Sequence, residues 1–181
     1  MKLTSTIIAR VTCTMVCSTL LSVSSFAQES AKLSDAEVAS VAVVANQIDI
    51  SYAELAKEKS KDAEVLNFAQ TMINDHKAVI GQAVALVTKL KVTPKDNATS
   101  QKLLSDAEKT KNMLRSKSGK AFDKAYIDNE VAYHKAVIAA VEGLLIPEAE
   151  NKELKDLLQN VVPALKTHLE HATMLQNKKY K

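Results

Sequence analysis

Apolar residues recur every three or four positions along most of this chain, which is the spacing of amphipathic α-helices. Four long stretches carry the pattern, at about residues 35–59, 62–91, 122–145 and 151–176. Glycine and proline number only three each in 181 residues, so few positions favour the turns that a β-rich fold requires. The sequence therefore predicts an all-α protein.

The lengths of the connections predict how these helices are arranged. The connections between the first and second long helices and between the third and fourth are short, which favours antiparallel neighbours. The connection between the second and third long helices contains a polar, lysine-rich helix of its own, at about residues 99–117. Such a helix spans roughly 24 Å and returns the chain along the bundle. We expect a ferritin-like four-helix bundle with a long crossover containing an extra helix; the alternative is an up-down bundle with a helix outside it.

Two prolines predict local features of the last two long helices. Pro147 follows the weak helix-forming pair Glu142-Gly143 and is expected to stop the third long helix. Pro163 lies inside the last helical stretch, where it has no backbone N–H to donate, so a kink is expected there.

Histidines and acids interrupt the apolar stripes that should form the core. His76, His134 and His168 each lie at the centre of a stripe on a different helix. Glu130 lies on the same stripe as His134, and Asp49 lies at the flank of the first one. Imidazole and carboxylate groups from facing helices hold iron, manganese or zinc in helical bundles. The candidate metal ligands are therefore Asp49, His76, Glu130, His134 and His168.

Depth along the bundle leaves a second interpretation open. Counted from the expected helix ends, Glu130 is level with His168, whereas His134 is displaced from His168 by roughly 9 Å. The Glu-x-x-His pattern of di-iron bundles is absent, because the residues three before the histidines are Ile73, Val131 and Leu165. The alternative is a structural or stress-related interaction bundle without a metal, in which the buried acids accept hydrogen bonds from the histidines and fix the helix register.

The first 27 residues have the pattern of a secretory signal peptide. Lys2 and Arg10 form a basic region, residues 11–23 are mostly apolar or small, and Ser25-Phe26-Ala27 ends in a small residue. We expect cleavage after Ala27, leaving a single domain at 28–181 in the periplasm. Both cysteines lie in the signal peptide, so the mature chain would contain no thiol or disulfide.

Composition narrows the range of partners and activities. Removal of Lys2 and Arg10 lowers the formal net charge from +3 to +1, which does not favour nucleic-acid binding. The chain has no phosphate-binding loop and no nucleophile motif, so no catalytic residue is assigned. The mature chain has no apolar stretch long enough to span a bilayer. Homo-oligomerisation, an envelope protein partner and outer-membrane association are left open.

Several segments resemble a bacterial family of exported proteins defined by a domain of unknown function, DUF4142. AQTMINDHKAVIG contains the family's Ala-x-x-Met-x-x-Asp-His block, ending at His76. SGKAFDKAYI resembles its Phe-Asp-x-x-Tyr block, and VPALKTHLEHA its block with Pro163 and His168. IDISYAELA resembles the acid-bearing first helix, with Asp49 in place of the expected glutamate. The resemblance covers nearly the whole mature chain and implies a ferritin-like fold in the cell envelope, without an established activity.

Overall fold

The computed structural model describes residues 32–180, and these residues form helices and connections without a β-strand. The predicted signal peptide, residues 1–27, lies outside the described residues. The elements in chain order are α1 (Asp35–Lys59), α2 (Ala63–Leu90), α3 (Ala98–Arg115), α4 (Gly119–Ala140), a π-helical turn (Val141–Leu145), the single turn α5 (Ile146–Glu148) and α6 (Lys152–Tyr180). The prediction of four long helices with an extra helix in the crossover is confirmed.

Contacts between helix ends define the direction of each helix. The Asn97 side chain donates to the Glu37 carbonyl, and the Lys59 ammonium donates to the Arg115 carbonyl, so α3 runs parallel to α1. Lys179 forms an ion pair with Asp62, so the end of α6 lies beside the start of α2. The connection through α3 therefore allows α2 and α4 to run in the same direction. Classification of this topology as ferritin-like remains a prediction.

Local hydrogen bonds fix the starts of helices where the sequence predicts them. The Glu37 carboxylate accepts from the backbone N–H of Ser34 at 3.0 Å. The Asn151 side-chain oxygen accepts from the backbone N–H groups of Glu153 and Leu154 at 2.9 and 3.1 Å. Each contact satisfies an N–H group that has no partner within its helix.

The end of α4 differs from the prediction that Pro147 stops this helix. Beyond Ala140 the backbone widens into a π-helical turn, in which the Ile146 N–H donates to the Val141 carbonyl. Helical structure then continues through α5 to Glu148, with Pro147 in its first turn. Pro147 has no N–H with which to continue the hydrogen-bond pattern, and helical structure ends one residue later. The helical segment is therefore longer than expected, so the residues of α4 lie further from its end than the sequence predicts.

The buried apolar residues form two clusters. The aromatic cluster contains Phe68, Tyr126, Phe122, Met72 and Leu114, and lies towards the α1–α2 turn. The aliphatic cluster contains Val38, Val41, Leu145, Leu154 and Leu158, and lies towards the opposite end of the bundle. Within residues 32–180, no helix combines the length and apolarity required to cross a bilayer.

Candidate metal centre

The five predicted ligands lie together between the two apolar clusters, and we call them the polar layer. Asp49 comes from α1, His76 from α2, Glu130 and His134 from α4, and His168 from α6. All five are buried: Asp49, Glu130 and His134 have no exposed surface, and His76 and His168 are 4% and 6% exposed. Four helices thus direct titratable side chains into an interior where such groups are rarely found alone.

The three imidazole rings lie close to one another. Their centroids are 5.3 Å apart for His76 and His168, 5.5 Å for His134 and His168, and 5.8 Å for His76 and His134. Asp49 approaches two of them, because its Oδ2 lies 3.5 Å from His76 Nε2 and 3.6 Å from His134 Nε2. The three histidines can each offer one ring nitrogen such that all three atoms lie within 4.8 Å of one another.

Hydrogen bonds to oxygen determine which nitrogen of each ring carries the proton. His76 Nδ1 lies 2.7 Å from the Asn46 amide oxygen, and His134 Nδ1 lies 3.1 Å from the Glu130 backbone carbonyl. His168 Nε2 lies 2.8 Å from the Asp75 carboxylate. Since each oxygen accepts, each of these nitrogens donates, and the other nitrogen of a neutral ring carries a lone pair.

The remaining ring nitrogens have no hydrogen-bond partner among the described residues. They are His76 Nε2, His134 Nε2 and His168 Nδ1, and all three are buried. The Asp49 carboxylate oxygens are likewise without a hydrogen bond. Unsatisfied buried acceptors cost free energy, and a proton or a cation bound beside them would offset that cost.

Glu130 extends the polar layer on the far side of His134. Its Oε2 lies 3.6 Å from His134 Nδ1, and Asp49, Glu130 and His134 form a second group whose ligand atoms lie within 4.8 Å. The two groups share His134, so the five residues form one continuous set. Asn129 opposes the effect of burial on the Glu130 pKa, but no hydrogen bond of normal geometry reaches either Glu130 carboxylate oxygen.

Burial favours the neutral form of the His76 and His134 imidazoles. It lowers the pKa of His76 to about 3, with the His134 and His168 charges adding to the effect. It lowers the pKa of His134 to about 4, with a further contribution from His168 and a small opposing one from the Glu130 carbonyl. A neutral imidazole is the form that binds a metal ion.

Burial has the opposite effect on the carboxyl groups. It raises the pKa of Asp49 to about 8. It raises the pKa of Glu130 well above its ordinary value, and the Asp49 charge raises it further. At neutral pH these groups therefore favour the protonated form unless a cation is present, because a cation stabilises the carboxylate.

The expected mismatch in depth between His134 and His168 is wrong, and the end of α4 explains why. Helical structure continues to Glu148, so His134 lies 14 residues before its end, while His168 lies 16 residues after the start of α6 at Lys152. The difference corresponds to about 3 Å along the bundle. His134 therefore lies level with His168, and Glu130 lies one turn further away.

Two functional residues were not identified from the sequence as partners of the histidines. Asn46 was not singled out, although it lies three residues before Asp49 on α1. Asp75 is exposed and was not among the candidate ligands, yet its carboxylate accepts a hydrogen bond from His168 on α6. Each residue accepts a hydrogen bond from the ring nitrogen that carries the proton, and so orients the imidazole. Hydrogen-bond partners of metal-binding histidines have this role.

The fold and this polar layer together define a class of protein, a helical bundle with a buried histidine–carboxylate centre. The family model described as domain of unknown function DUF4142 matches residues 21–175, and the chain belongs to that family. No curated protein sequence matches the chain.

Two solved structures have a similar fold. One is a Streptomyces coelicolor protein described as secreted, DUF305, with a TM-score of 0.68, 13% identity and coverage of 80% of this chain and 93% of that chain. The other is CopM in its Cu(II)-bound form, with a TM-score of 0.61, 14% identity and coverage of 82% of this chain and 99% of that chain. At such low identity these similarities concern the fold alone.

Proposed function

We propose that this protein is an exported metal-binding protein and that the polar layer holds a divalent first-row metal ion. The observation that carries the proposal is the set of three buried ring nitrogens without partners, His76 Nε2, His134 Nε2 and His168 Nδ1. Each ring donates its other N–H to an oxygen, which leaves the lone pair available. Asp49 supplies a carboxylate beside two of the rings, and Glu130 adds a second acid.

The ligand types favour copper(II) or zinc(II) over manganese. Three imidazoles form a nitrogen-rich set, which suits zinc, copper, iron and nickel, and copper(II) has the highest affinity among the divalent ions of the first row. The Cu(II)-bound form of CopM, a protein of similar fold, supports copper as the first metal to test. Iron remains in the proposal because carboxylates accompany the imidazoles.

The export step is part of the proposal and rests on the sequence of residues 1–27. In this proposal the mature domain, 28–181, folds in the periplasm, where its lack of cysteine leaves histidine and carboxylate as its metal ligands. N-terminal sequencing of the exported protein should give a chain that starts near Gln28. An intact Met1 in a membrane fraction would contradict this part of the proposal.

A metal-free structural role is the second candidate, and the raised pKa of Asp49 favours it. A protonated Asp49 can donate a hydrogen bond to His76 Nε2 or His134 Nε2, which both lie within 3.6 Å. The polar layer would then fix the register of the helices without binding an ion.

Metal titration of a histidine variant and its matched control separates the two functions. We expect the wild type to bind one copper(II) or zinc(II) per chain by calorimetry, and His134→Gln to bind at least tenfold more weakly. His171→Gln is the control, because His171 packs edge-on against Phe68 outside the polar layer. If no metal binds to the wild type, or if both variants bind equally well, the structural role is the correct one.

A further inference from the structure

A cavity of about 370 Å³ adjoins the polar layer on the side of the aliphatic cluster. Its walls are almost wholly apolar and come from all four long helices, with Val41, Ala42, Val79, Ala83, Val137 and Val161 among them. An apolar cavity of ~150 Å³ in a protein core already binds benzene, and ligand pockets commonly begin at ~300 Å³. The cavity is therefore large enough for a small organic molecule.

The polar end of this cavity includes four groups that can accept hydrogen bonds or ionise to do so. Asp49, His76, His134 and His168 all line it. The atoms of these residues that lack a partner are three imidazole nitrogens with lone pairs and two carboxyl oxygens. A molecule with donors or positive charge would satisfy these five atoms, whereas a further acceptor would face them; Asn129 Nδ2 is a buried donor without a partner that also lines the cavity.

The π-helical turn contributes to the opposite end of the cavity. Val141 and Leu145, its first and last residues, are buried and line the space. Such turns are rare and frequently occur at functional sites, because the extra residue widens the helix and redirects side chains. The turn is thus a second observation, independent of the polar layer, at the same cavity.

We propose that the cavity binds a small primary amine with an apolar body, such as a medium-chain alkylamine. The ammonium head would donate to the histidine lone pairs and pair with Asp49, while the chain would fill the apolar space. An ammonium group has three donors and no acceptor, which matches the polar end of the cavity. This inference does not require the metal, but because it uses the same lone pairs, the amine and the metal would exclude each other.

Calorimetric titration of metal-free protein with three ligands of equal chain length tests the choice of head group. We expect octylamine to bind at one molecule per chain, at least tenfold more tightly than octanol and octanoate. Octanoate offers only acceptors, which cannot donate to the histidine lone pairs. Equal or tighter binding of octanoate, or no binding of octylamine, would overturn the proposal.

Substitutions at the cavity wall test the location of the amine. Ala140 lines the cavity and is exposed, whereas the adjacent Ala139 is exposed and does not line it. We expect Ala140→Phe to weaken octylamine binding at least tenfold and Ala139→Phe to leave it unchanged. A second pair on α2 is Ala83→Leu, inside the cavity, and Ala85→Leu, outside it. Circular dichroism checks that each variant is folded, and an equal effect within both pairs would contradict the proposed location.

Metal titration of the same variants distinguishes this proposal from the metal site. Ala140→Phe narrows the cavity without touching a ring nitrogen, so copper(II) or zinc(II) should bind it within about twofold of the wild type. Metal binding without octylamine binding in the wild type would overturn the amine site alone. Octylamine binding without metal binding would overturn the metal site alone. Simultaneous binding of both ligands would overturn the shared use of the lone pairs.

Discussion

The two halves of the core, on either side of the polar layer, are packed differently. In the aromatic cluster, Phe68, Phe122 and Tyr126 are fully buried, with ring centroids 6.2 Å apart for Phe68 and Tyr126 and 6.3 Å for Phe122 and Tyr126. The aliphatic cluster instead adjoins the cavity of about 370 Å³, and the wall residues Val137 and Val161 are only half-buried. One half is filled by rings, and the other leaves space beside the histidines.

This difference indicates a division of roles within one small bundle. Close packing gives the largest contribution to stability per residue, because each buried side chain makes many van der Waals contacts. A cavity loses such contacts and is retained only where the lost stability is tolerated. The polar layer lies at the boundary, so its histidines are held by one half and accessible from the other.

The largest expected effect is the loss in free energy of unfolding when a leucine is replaced by alanine, compared between the two sides of the polar layer. Leu114→Ala in the aromatic cluster should lower the free energy of unfolding by about 4 kcal/mol. Leu158→Ala in the aliphatic cluster should cost only about 2 kcal/mol, because Leu158 also lines the cavity and has fewer contacts to lose. Urea unfolding of both variants measures the difference. Equal losses would mean that the two halves are packed equally well.

The next effect is a loss of stability of the metal-free protein as the pH rises from 6.5 to 8. The pKa values of His76 and His134 are lowered to about 3 and about 4. Their contribution to the pH dependence of stability is therefore confined to pH values below and around the unfolded-state histidine pKa of about 6.5. Asp49 has a pKa raised to about 8, so the folded state binds an extra proton that is lost as the pH rises through that value. We expect a loss of about 2 kcal/mol over this range, measured by urea unfolding.

Asp49→Asn and added metal are the two controls for this pH dependence. The variant cannot release the proton, so its stability should change less between pH 6.5 and 8. With zinc(II) bound, deprotonation of Asp49 favours the complex, and stability should rise with pH instead. An unchanged slope in both controls would show that another group is responsible.

The smallest expected effect on stability is that of Glu130→Gln. The raised pKa of Glu130 means that its side chain is neutral in the metal-free protein, and glutamine is a neutral residue of nearly the same shape. Its free energy of unfolding should therefore change by less than about 1 kcal/mol. Affinity for zinc(II) should nevertheless fall about tenfold, because glutamine carries no charge to stabilise the ion. A large loss of stability without a change in affinity would favour the structural role of the polar layer.

The fold and the five candidate ligands could be predicted because they depend on periodicity. A spacing of 3.6 residues places His76, His134 and His168 on the buried faces of their helices, whatever their neighbours are. Asp49 was expected at the flank of its stripe, but it is fully buried because α2 and α4 close over this side of α1. Export and metal binding, by contrast, remain predictions.

The remaining features depend on contacts between helices, which periodicity does not determine. The link between Asp75 and His168 joins residues that are 93 positions apart, and that between Asn46 and His76 joins residues 30 apart. The π-helical turn and the continuation past Pro147 set the level of His134, and a rule that stops helices at proline misses both. The cavity depends on the side chains of all four long helices at once, so no single stripe indicates it.

The central claim is that three buried imidazole nitrogens carry lone pairs without a protein partner, and nitrogen NMR of the histidine rings tests it most directly. Long-range proton–nitrogen spectra of metal-free protein at pH 8 distinguish the two neutral tautomers from each other and from the cation. We expect His76 and His134 to carry the proton on Nδ1 and His168 to carry it on Nε2, with zinc(II) shifting the three opposite nitrogens. A proton on His76 Nε2, His134 Nε2 or His168 Nδ1 in the metal-free protein, or no shift of these nitrogens with zinc(II), would contradict the account.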